Sequence, residues 1–313
     1  MQWEQLKLLI TNPNYVRKKL TLVDGRKLSY SECGNIENGL PVIFCFGLMT
    51  SSVAVMFAHY AALRNNLRII AVDYPGVGES TFQDDRSLGG WADDMLQFCD
   101  QVLGQETTVR LLGHSLGGLH VLALLSDKTF KARVERVVLL SPWLYVEGTE
   151  FNPLLINVAR KLPEYVQSRI IPTVLTTLSS GSIQLAGWSN PQHTQIQAAK
   201  IVTSYGKIQG QAGNEQMVRF ALSKSERYLP QDLDARVFIF HGSKDSLVLD
   251  KAVLELVQLL RERNCKVTYK SVEGGDHNSV LAASDNLQAV MASLAGSNMR
   301  ANSMNRVRTG HSV

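Results

Sequence analysis

Short apolar runs alternate with longer segments of helical character along most of the chain. The short runs are bounded by turn residues, which predicts buried strands; they lie at 41–46, 67–72, 108–112, 134–140, 236–240 and 266–272. Helices are predicted at 52–64, 91–103, 116–125, 250–263 and 278–294. Strands that alternate with helices predict an α/β fold, with a mostly parallel central sheet and helices on both faces.

Two parts of the chain depart from this alternation. Near the amino end, a short helix precedes a hairpin over 20–30 that is joined by an Asp-Gly turn. Between 143 and 227 no strong buried strand is apparent, and prolines separate apolar helical pieces such as 154–162 and 166–178. We therefore predict an α/β core at 1–142 and 228–296, a helical cap inserted at 143–227, and a disordered polar tail at 297–313.

A serine lies where one predicted strand turns into a helix. The sequence GHSLG, with Ser115 at its centre, follows the strand at 108–112 and leads into the helix at 116–125. Gly113 and Gly117 remove side chains that would collide in so tight a corner. The corner lifts the Ser115 hydroxyl beside the first N–H groups of the helix, where an anion is stabilised. A lone serine is a poor nucleophile, so catalysis requires a histidine base and an acid; without them this is a serine in a glycine-rich turn.

Two other strand ends carry the residue types that a catalytic serine needs. Asp245 comes just after the strand at 236–240, and His277 just after the strand at 266–272. The carboxyl ends of parallel strands lie along one edge of a sheet, so both side chains can meet Ser115. The chain order Ser, Asp, His is that of one particular architecture.

Several neighbouring residues are alternatives for these roles. Asp276, next to His277, or Glu147 could supply the acid, and Asp245 could instead cap the helix that follows it. His114 adjoins the elbow serine but faces away from it on a tight turn, which favours a packing role. The remaining histidines are expected to be structural or inert: His59, His120, His193, His241 and His311.

Taken together, these motifs resemble the α/β-hydrolase fold with a helical cap. The resemblance covers roughly 20–294 and rests on GHSLGG at the elbow, FGL at 46–48, DYPGVGES, the acid loop HGSKD and the base loop GGDHN. It implies that Ser115 is the nucleophile, His277 the general base and Asp245 the orienting acid. It also implies that the backbone N–H groups of Leu48 and Leu116 form the oxyanion hole. Such a site requires no metal and no organic cofactor.

One residue departs from the family pattern. Many family members have His-Gly where this chain has Phe46 and Gly47, and losing that imidazole could alter how the oxyanion loop is held. Because the donors are backbone groups, we expect the hole to survive. Losing one donor typically costs ~10²- to 10³-fold in rate, so a displaced loop would weaken catalysis without abolishing it.

The apolar residues of the predicted cap indicate the substrate class. They exceed what helix packing obviously needs, which favours a medium-sized apolar acyl or alcohol group; the alternative is that they only hold the cap on the core. They are Trp143, Leu144, Tyr145, Phe151, Leu154, Leu155, Ile156, Ile170, Ile171, Val174, Leu175 and Trp188. We predict that the pocket is lined by Gly47, His114, Trp143 and Trp188.

The predicted reaction is two-step acyl transfer to water on a carboxylester, lactone or thioester. A serine at the elbow disfavours epoxide and haloalkane hydrolysis, which this fold supports with an aspartate. A carbon–carbon bond next to a ketone is a further candidate substrate. A small-molecule receptor on the same fold, with little turnover, is the alternative from another class of function.

Composition narrows the remaining possibilities. The chain has 313 residues, 45% hydrophobic and 19% charged, with net charge +4. The terminal arginines at 300, 306 and 308 supply three of those charges, so the rest is near neutral and gives no sign of nucleic-acid binding. No signal peptide or membrane anchor is indicated. The four cysteines are widely spaced without a CxxC pair, which favours a reducing, cytoplasmic location without metal. No oligomeric state is implied.

Overall fold

A computed structural model describes residues 3–144, 159, 161–178, 192–282 and 284–296. Some predictions concern residues outside this described part of the chain. They are most of the helical piece at 154–162, the candidates Glu147 and Trp188, and the tail at 297–313.

Eight strands form one sheet. Six of them lie close to the predicted apolar runs, and the first two form the predicted hairpin, with bounds that extend beyond 20–30. The strands are β1 (Lys18–Thr21), β2 (Lys27–Gly34), β3 (Leu40–Cys45), β4 (Leu67–Val72), β5 (Val109–His114), β6 (Val134–Leu140), β7 (Arg236–Gly242) and β8 (Val267–Val272). Their order across the sheet is β1-β2-β4-β3-β5-β6-β7-β8. Only β2 pairs antiparallel with its neighbours, β1 and β4, so the predicted mostly parallel sheet is confirmed.

Helices connect and cover the strands. They are α1 (Trp3–Thr11), α2 (His59–Arg64), α3 (Leu88–Val102), α4 (Gly117–Ser126), α5 (Lys128–Ala132), α6 (Ile171–Leu178), α7 (His193–Gly206), α8 (Ala212–Leu222), α9 (Asp250–Glu262), α10 (Ser279–Ala282) and α11 (Ser284–Ala295). α3 packs against α4 on one side of the sheet, and α2 packs against α11 on the other.

The carboxyl ends of the central parallel strands are the most deeply buried part of the sheet. Every residue of β5 is buried, as are the last four residues of β3, β6 and β7. These strands are continuous apolar runs because helices cover both of their faces. The loops that follow these strands therefore all begin at the same rigid edge of the sheet.

Two predicted helices differ in detail from the structure. The segment 52–64 begins as a 3₁₀ helix, Ser52–Ala58, and becomes α-helical only at α2. Its first residue is fixed from outside the helix, because the Ser52 N–H and hydroxyl both donate to the carboxylate of Asp73, at 2.6 and 2.9 Å. The single helix predicted at 278–294 is represented by α10 and α11.

The described residues between β6 and β7 form only helical elements. Besides α6, α7 and α8 they include a π-helical turn, Val166–Ile170, and a 3₁₀ turn, Glu226–Tyr228. α8 begins against the 73–80 loop, where a Cβ on Gly213 would lie 2.4 Å from the backbone of Gly76. The helical character agrees with the sequence, whereas the division into core, cap and tail stays a prediction.

Candidate active site

Ser115 occupies a strained corner between β5 and α4. Its φ is +53°, in the left-handed region that side chains other than glycine rarely adopt. Its N–H donates to the carbonyl of Leu140 at 3.0 Å, and its carbonyl accepts from the N–H groups of Gly118 and Trp143 at 2.9 Å each. A Cβ on Gly117 would lie 1.9 Å from the carbonyl oxygen of Cys45, so glycine is required for the corner to close. Hydrogen bonds to Leu140, Gly118 and Trp143 therefore hold the backbone of Ser115 in this strained conformation.

The predicted acid and base are in direct contact. His277 Nδ1 lies 2.8 Å from Asp245 Oδ2. The other carboxylate oxygen, Oδ1, accepts from the N–H groups of Leu247 and Val248, both at 2.9 Å. Burial by itself raises the pKa of Asp245, but the hydrogen bond and charge of His277, with the Val248 N–H, outweigh it and lower the pKa to about 2. Asp245 is therefore a buried carboxylate that fixes the orientation of the His277 ring.

Ser141 and His241 lie close to the acid; the sequence assigned no role to Ser141 and predicted that His241 is structural. Ser141 follows β6, is fully buried and has a φ of +41°. Its hydroxyl lies 3.3 Å from His241 Nδ1, and its polar interaction with Asp245 contributes to lowering the pKa of that carboxyl. His241 Nδ1 is 3.7 Å from Asp245 Oδ2. Burial lowers the pKa of His241, so this ring is a neutral neighbour of the acid.

His114 connects the elbow to the base loop. Its Nε2 lies 3.1 Å from the carbonyl oxygen of His277, and the two rings are 5.1 Å apart. Burial, with the nearby His277, lowers the pKa of His114 to about 4, so the neutral ring donates to that carbonyl. The buried side chain thus has the packing role that the tight turn predicted. Its place in the lining of a pocket stays a prediction.

The FGL strand end reaches the elbow serine. A Cβ on Gly47 would lie 3.0 Å from the Cβ of Ser115 and 3.6 Å from its Oγ, so this loop passes directly over the hydroxyl. Leu48 follows Gly47 in this loop, and Leu116 follows Ser115 as the N-cap residue of α4. The assignment of the Leu48 and Leu116 N–H groups as oxyanion donors stays a prediction.

Phe46, at the position that departs from the family pattern, contacts Tyr74 through both its ring and its backbone. Its ring is buried and lies 4.5 Å from the ring of Tyr74. The Tyr74 hydroxyl donates to the Phe46 carbonyl at 3.0 Å. The loop is therefore anchored through its backbone by a tyrosine from another strand end, which supports the expectation that its geometry survives the substitution.

The alternative acids are less suited to the role. Asp276 Oδ1 accepts from the N–H of Ser279 at 2.8 Å, so its carboxylate caps α10. Asp245 was itself an alternative cap for the helix that follows it. Its Oδ1 does accept from N–H groups of the turn before α9, but its Oδ2 contacts His277. Glu147 lies outside the described residues.

Apolar residues of the 143–227 segment divide into two groups where the structure describes them. Ile171 and Leu175 pack with Leu48 against a cluster formed by Met49, Ala159, Val218 and Leu222. Ile170 and Val174 are 45% and 44% exposed. Leu144 is buried in the main core, and Trp143 donates its indole N–H to the carbonyl of Ala221 at 3.1 Å. The remaining predicted lining residues, among them Trp188, lie outside the described part.

Within the described ranges, no three His, Cys, Asp or Glu side chains are grouped so that they could hold a metal ion. The four cysteines are buried and unpaired. A helix long and apolar enough to cross a membrane is not found among the residues that the structure covers.

Comparison with known proteins identifies the family. The model of the α/β hydrolase fold matches residues 41–283, and the chain therefore belongs to this family. No curated protein sequence matches the chain.

Solved structures with this fold include enzymes of several kinds. Esterase RhEst1 from Rhodococcus sp. ECU1013 is 21% identical with a TM-score of 0.65, covering 90% of this chain and 98% of its own. An esterase from Exiguobacterium antarcticum is 20% identical with a TM-score of 0.68, covering 90% and 99%. Epoxide hydrolase CorEH is 16% identical with a TM-score of 0.65, covering 89% and 98%. At such identities the similarity establishes the fold.

Proposed function

We propose that this protein is a serine hydrolase that cleaves an ester-type bond through an acyl-enzyme. The observation that carries the proposal is the 2.8 Å contact of His277 with the Asp245 carboxylate. The base loop is tied to the elbow by the 3.1 Å contact of His114, the residue before the strained Ser115, with the His277 carbonyl. In this proposal Ser115 is the nucleophile, His277 the general base and Asp245 the acid that orients it. The backbone N–H groups of Leu48 and Leu116 are the oxyanion donors.

The proposed first step acylates the serine. His277 Nε2 takes the hydroxyl proton as Ser115 Oγ attacks the substrate carbonyl, and the two backbone donors stabilise the tetrahedral oxyanion. The intermediate collapses as His277 gives that proton to the leaving alcohol or thiol. Water then attacks the acyl-enzyme with His277 again as base, and the acid product leaves as the proton returns to Oγ. Asp245 stays ionised throughout and stabilises the imidazolium.

The proposed substrate is a small molecule with a medium-sized apolar acyl or alcohol group. Support comes from Leu48 of the oxyanion loop, which packs with Ile171 and Leu175 from the segment between β6 and β7. A substrate carbonyl at Ser115 would have its apolar group directed to this side. Carboxylesters, lactones and thioesters all suit the arrangement. The four buried, unpaired thiols fit a reducing compartment, so we place this activity in the cytoplasm.

A chain-length series tests the proposal. Initial rates of hydrolysis would be measured with 4-nitrophenyl esters from acetate to dodecanoate, with thioesters and lactones beside them. We expect kcat/KM to rise from acetate to a medium chain, and Ser115→Ala to remove the activity. Ser126→Ala, at the far end of α4, is the matched control and should keep the wild-type rate.

Two outcomes would contradict this function. Hydrolysis that persists in Ser115→Ala would show that another group is the nucleophile. A folded wild-type protein that binds these compounds but turns none of them over would favour the receptor alternative.

A further inference from the structure

A buried arginine lies among aromatic rings next to the proposed site. The side chain of Arg86 lies over the rings of Tyr74, Phe220 and Trp91, with its guanidinium carbon 5.0, 5.1 and 5.8 Å from their centres. Its Nη2 is 2.8 Å from His120 Nε2. These five residues are called the Arg86 cluster below.

No carboxylate among the described residues pairs with this cation. Nε and Nη1 of Arg86 are buried without a hydrogen-bond partner in the described part of the chain. Asp94, on the neighbouring helix α3, is bound by both terminal nitrogens of Arg26, at 2.5 and 2.8 Å. Burial lowers the pKa of Arg86 to about 10, so it is still charged at neutral pH. A buried, unpaired charge costs stability, which indicates that the cluster has a role besides stabilising the fold.

His120 links Arg86 to one arm of the proposed oxyanion hole. Because the guanidinium can only donate, Nε2 accepts from it and the ring proton is on Nδ1. Nδ1 lies 3.3 Å from the carbonyl oxygen of Leu116 and donates to it. Burial and the charge of Arg86 keep the pKa of His120 well below its usual value, so the ring stays neutral.

Tyr74 links the same cluster to the other arm. Its ring stacks on His120 at 4.0 Å and 27°. Its hydroxyl donates to the carbonyl of Phe46. This carbonyl is in the peptide unit that joins Phe46 and Gly47, next to the unit that carries the Leu48 N–H. In both arms the anchored carbonyl is therefore in the peptide unit next to the one that carries the proposed donor.

We propose that Arg86, acting through His120 and Tyr74, positions both arms of the oxyanion hole as one unit. This inference rests on the proposed function and adds three positioning residues to it. None of the three touches the reacting atoms. His120 and Tyr74 each act through a backbone carbonyl, and Arg86 contacts both of them.

Two substitutions test the positioning role. Tyr74→Phe removes one oxygen atom and keeps the ring, and Arg86→Met removes the charge but keeps an apolar chain of similar length. Tyr30→Phe, whose ring packs against Phe98 at 5.0 Å, is the matched control. For each protein we would measure kcat and KM with the best ester, the rate of modification by a fluorophosphonate, inhibition by a trifluoromethyl ketone, and the midpoint of thermal unfolding.

We expect both substitutions to weaken stabilisation of the transition state and to leave substrate binding unchanged. Small displacements of a catalytic group typically cost up to about 10²-fold, so kcat should fall about 10- to 100-fold in Tyr74→Phe and Arg86→Met with KM unchanged. The ketone, whose adduct carries the oxyanion, should bind more weakly by a similar factor. Arg86→Met removes an unpaired buried charge but leaves buried His120 Nε2 without its donor. Because these two effects oppose each other, its unfolding midpoint should stay near that of wild type. A purely structural role would instead lower the unfolding midpoint and leave ketone affinity intact.

The outcomes separate this inference from the proposed function. If the wild type is unreactive towards both ester and fluorophosphonate, the proposed function is wrong and the positioning role falls with it. If the wild type reacts and both variants match Tyr30→Phe, the function stands and the positioning role is overturned. A rise in KM with kcat unchanged would also overturn it, because the cluster would then shape the pocket. Should Arg86→Met fail to fold, Tyr74→Phe decides alone.

Discussion

Ser141 shows how a single hydroxyl can support the acid of a proposed triad. It is buried at the end of β6, bonds to His241 Nδ1 at 3.3 Å, and lowers the pKa of Asp245. We expect Ser141→Ala to lower the free energy of unfolding by about 1–3 kcal/mol, the usual cost of leaving a buried polar partner unsatisfied. We also expect kcat to fall with KM unchanged. Urea unfolding and ester kinetics would measure both quantities.

The control for this change is a serine outside the site. Ser126→Ala removes a hydroxyl that bonds only locally, to the carbonyl of Ala123. If Ser141→Ala and Ser126→Ala differ from wild type by the same amounts, Ser141 has no special part in holding Asp245.

Candidate catalytic residues could be predicted from the sequence where they lie on loops that follow buried strands. Asp245 and His277 follow β7 and β8 directly, and the structure places them in contact. Ser141 also follows a strand, but serine before proline is common in turns and gives no chemical signal by itself. Tyr74 was not predicted as an anchor either, because its partner is the backbone carbonyl of Phe46, and backbone partners leave no trace in the sequence.

At the scale of elements, the approach of α4 to β3 depends on one missing side chain. A Cβ on Gly117 would lie 1.9 Å from the carbonyl oxygen of Cys45, and backbone cannot give way there. We expect Gly117→Ala to lower the free energy of unfolding by at least about 3 kcal/mol or to prevent folding. Circular dichroism during urea unfolding would measure the change.

Gly89 provides the matched substitution. It lies in the first turn of α3, where an added Cβ would meet only the Ser87 hydroxyl, at 3.8 Å. Gly89→Ala should raise the free energy of unfolding by roughly 0.5–1 kcal/mol, because alanine restricts the unfolded chain. Equal effects of the two substitutions would contradict the close approach at the elbow.

Strands and helices were predicted well where the hydrophobic pattern of a segment was unambiguous. The continuous apolar runs of β4 and β6 match their predicted bounds. α7 and α8 were not singled out, because polar residues interrupt their apolar faces and the helices are fixed by packing onto loops of the core. One such contact is the donation from Ser51 Oγ to the carbonyl of Val202 at 2.9 Å.

For the whole molecule, buried carboxyls set the response of stability to pH. Asp73 is fully buried and accepts from the hydroxyl of Ser29 at 2.7 Å and the N–H of Ser52 at 2.6 Å. Burial raises its pKa from 3.8 to about 7 despite these bonds. The folded protein therefore binds this proton more tightly than the unfolded chain. Its contribution to stability is complete below about pH 4 and is lost as the pH rises through 7.

Asp73→Asn should therefore remove a pH dependence. Between pH 4 and 7 the free energy of unfolding of the variant should vary less than that of wild type, by about 3 kcal/mol. Asp245 has the opposite sign, because its folded pKa is lowered to about 2, so its contribution is lost only as the pH falls below 4. Urea unfolding at intervals from pH 4 to 8 measures the slope; parallel curves for wild type and Asp73→Asn would contradict this assignment.

The sequence predicted the class of the fold but not the order of the strands in the sheet. Alternation of strands and helices predicted the parallel sheet, and with it the meeting of loops that lie far apart in the chain. The order β2-β4-β3-β5 was not predicted, because the central parallel strands are largely apolar on both faces and nothing in their composition selects a neighbour. The family match over 41–283 agrees with the resemblance that the spaced motifs implied.

Intact-mass measurement after incubation with a fluorophosphonate is the test on which the proposed serine chemistry depends. An activated serine displaces fluoride from the reagent, so wild type should gain one adduct, and peptide mapping should place it on Ser115. Ser115→Ala and His277→Ala should gain none, while Ser126→Ala should be modified at the wild-type rate. A folded wild-type protein that stays unmodified, or an adduct that persists in Ser115→Ala, would contradict the proposed nucleophile.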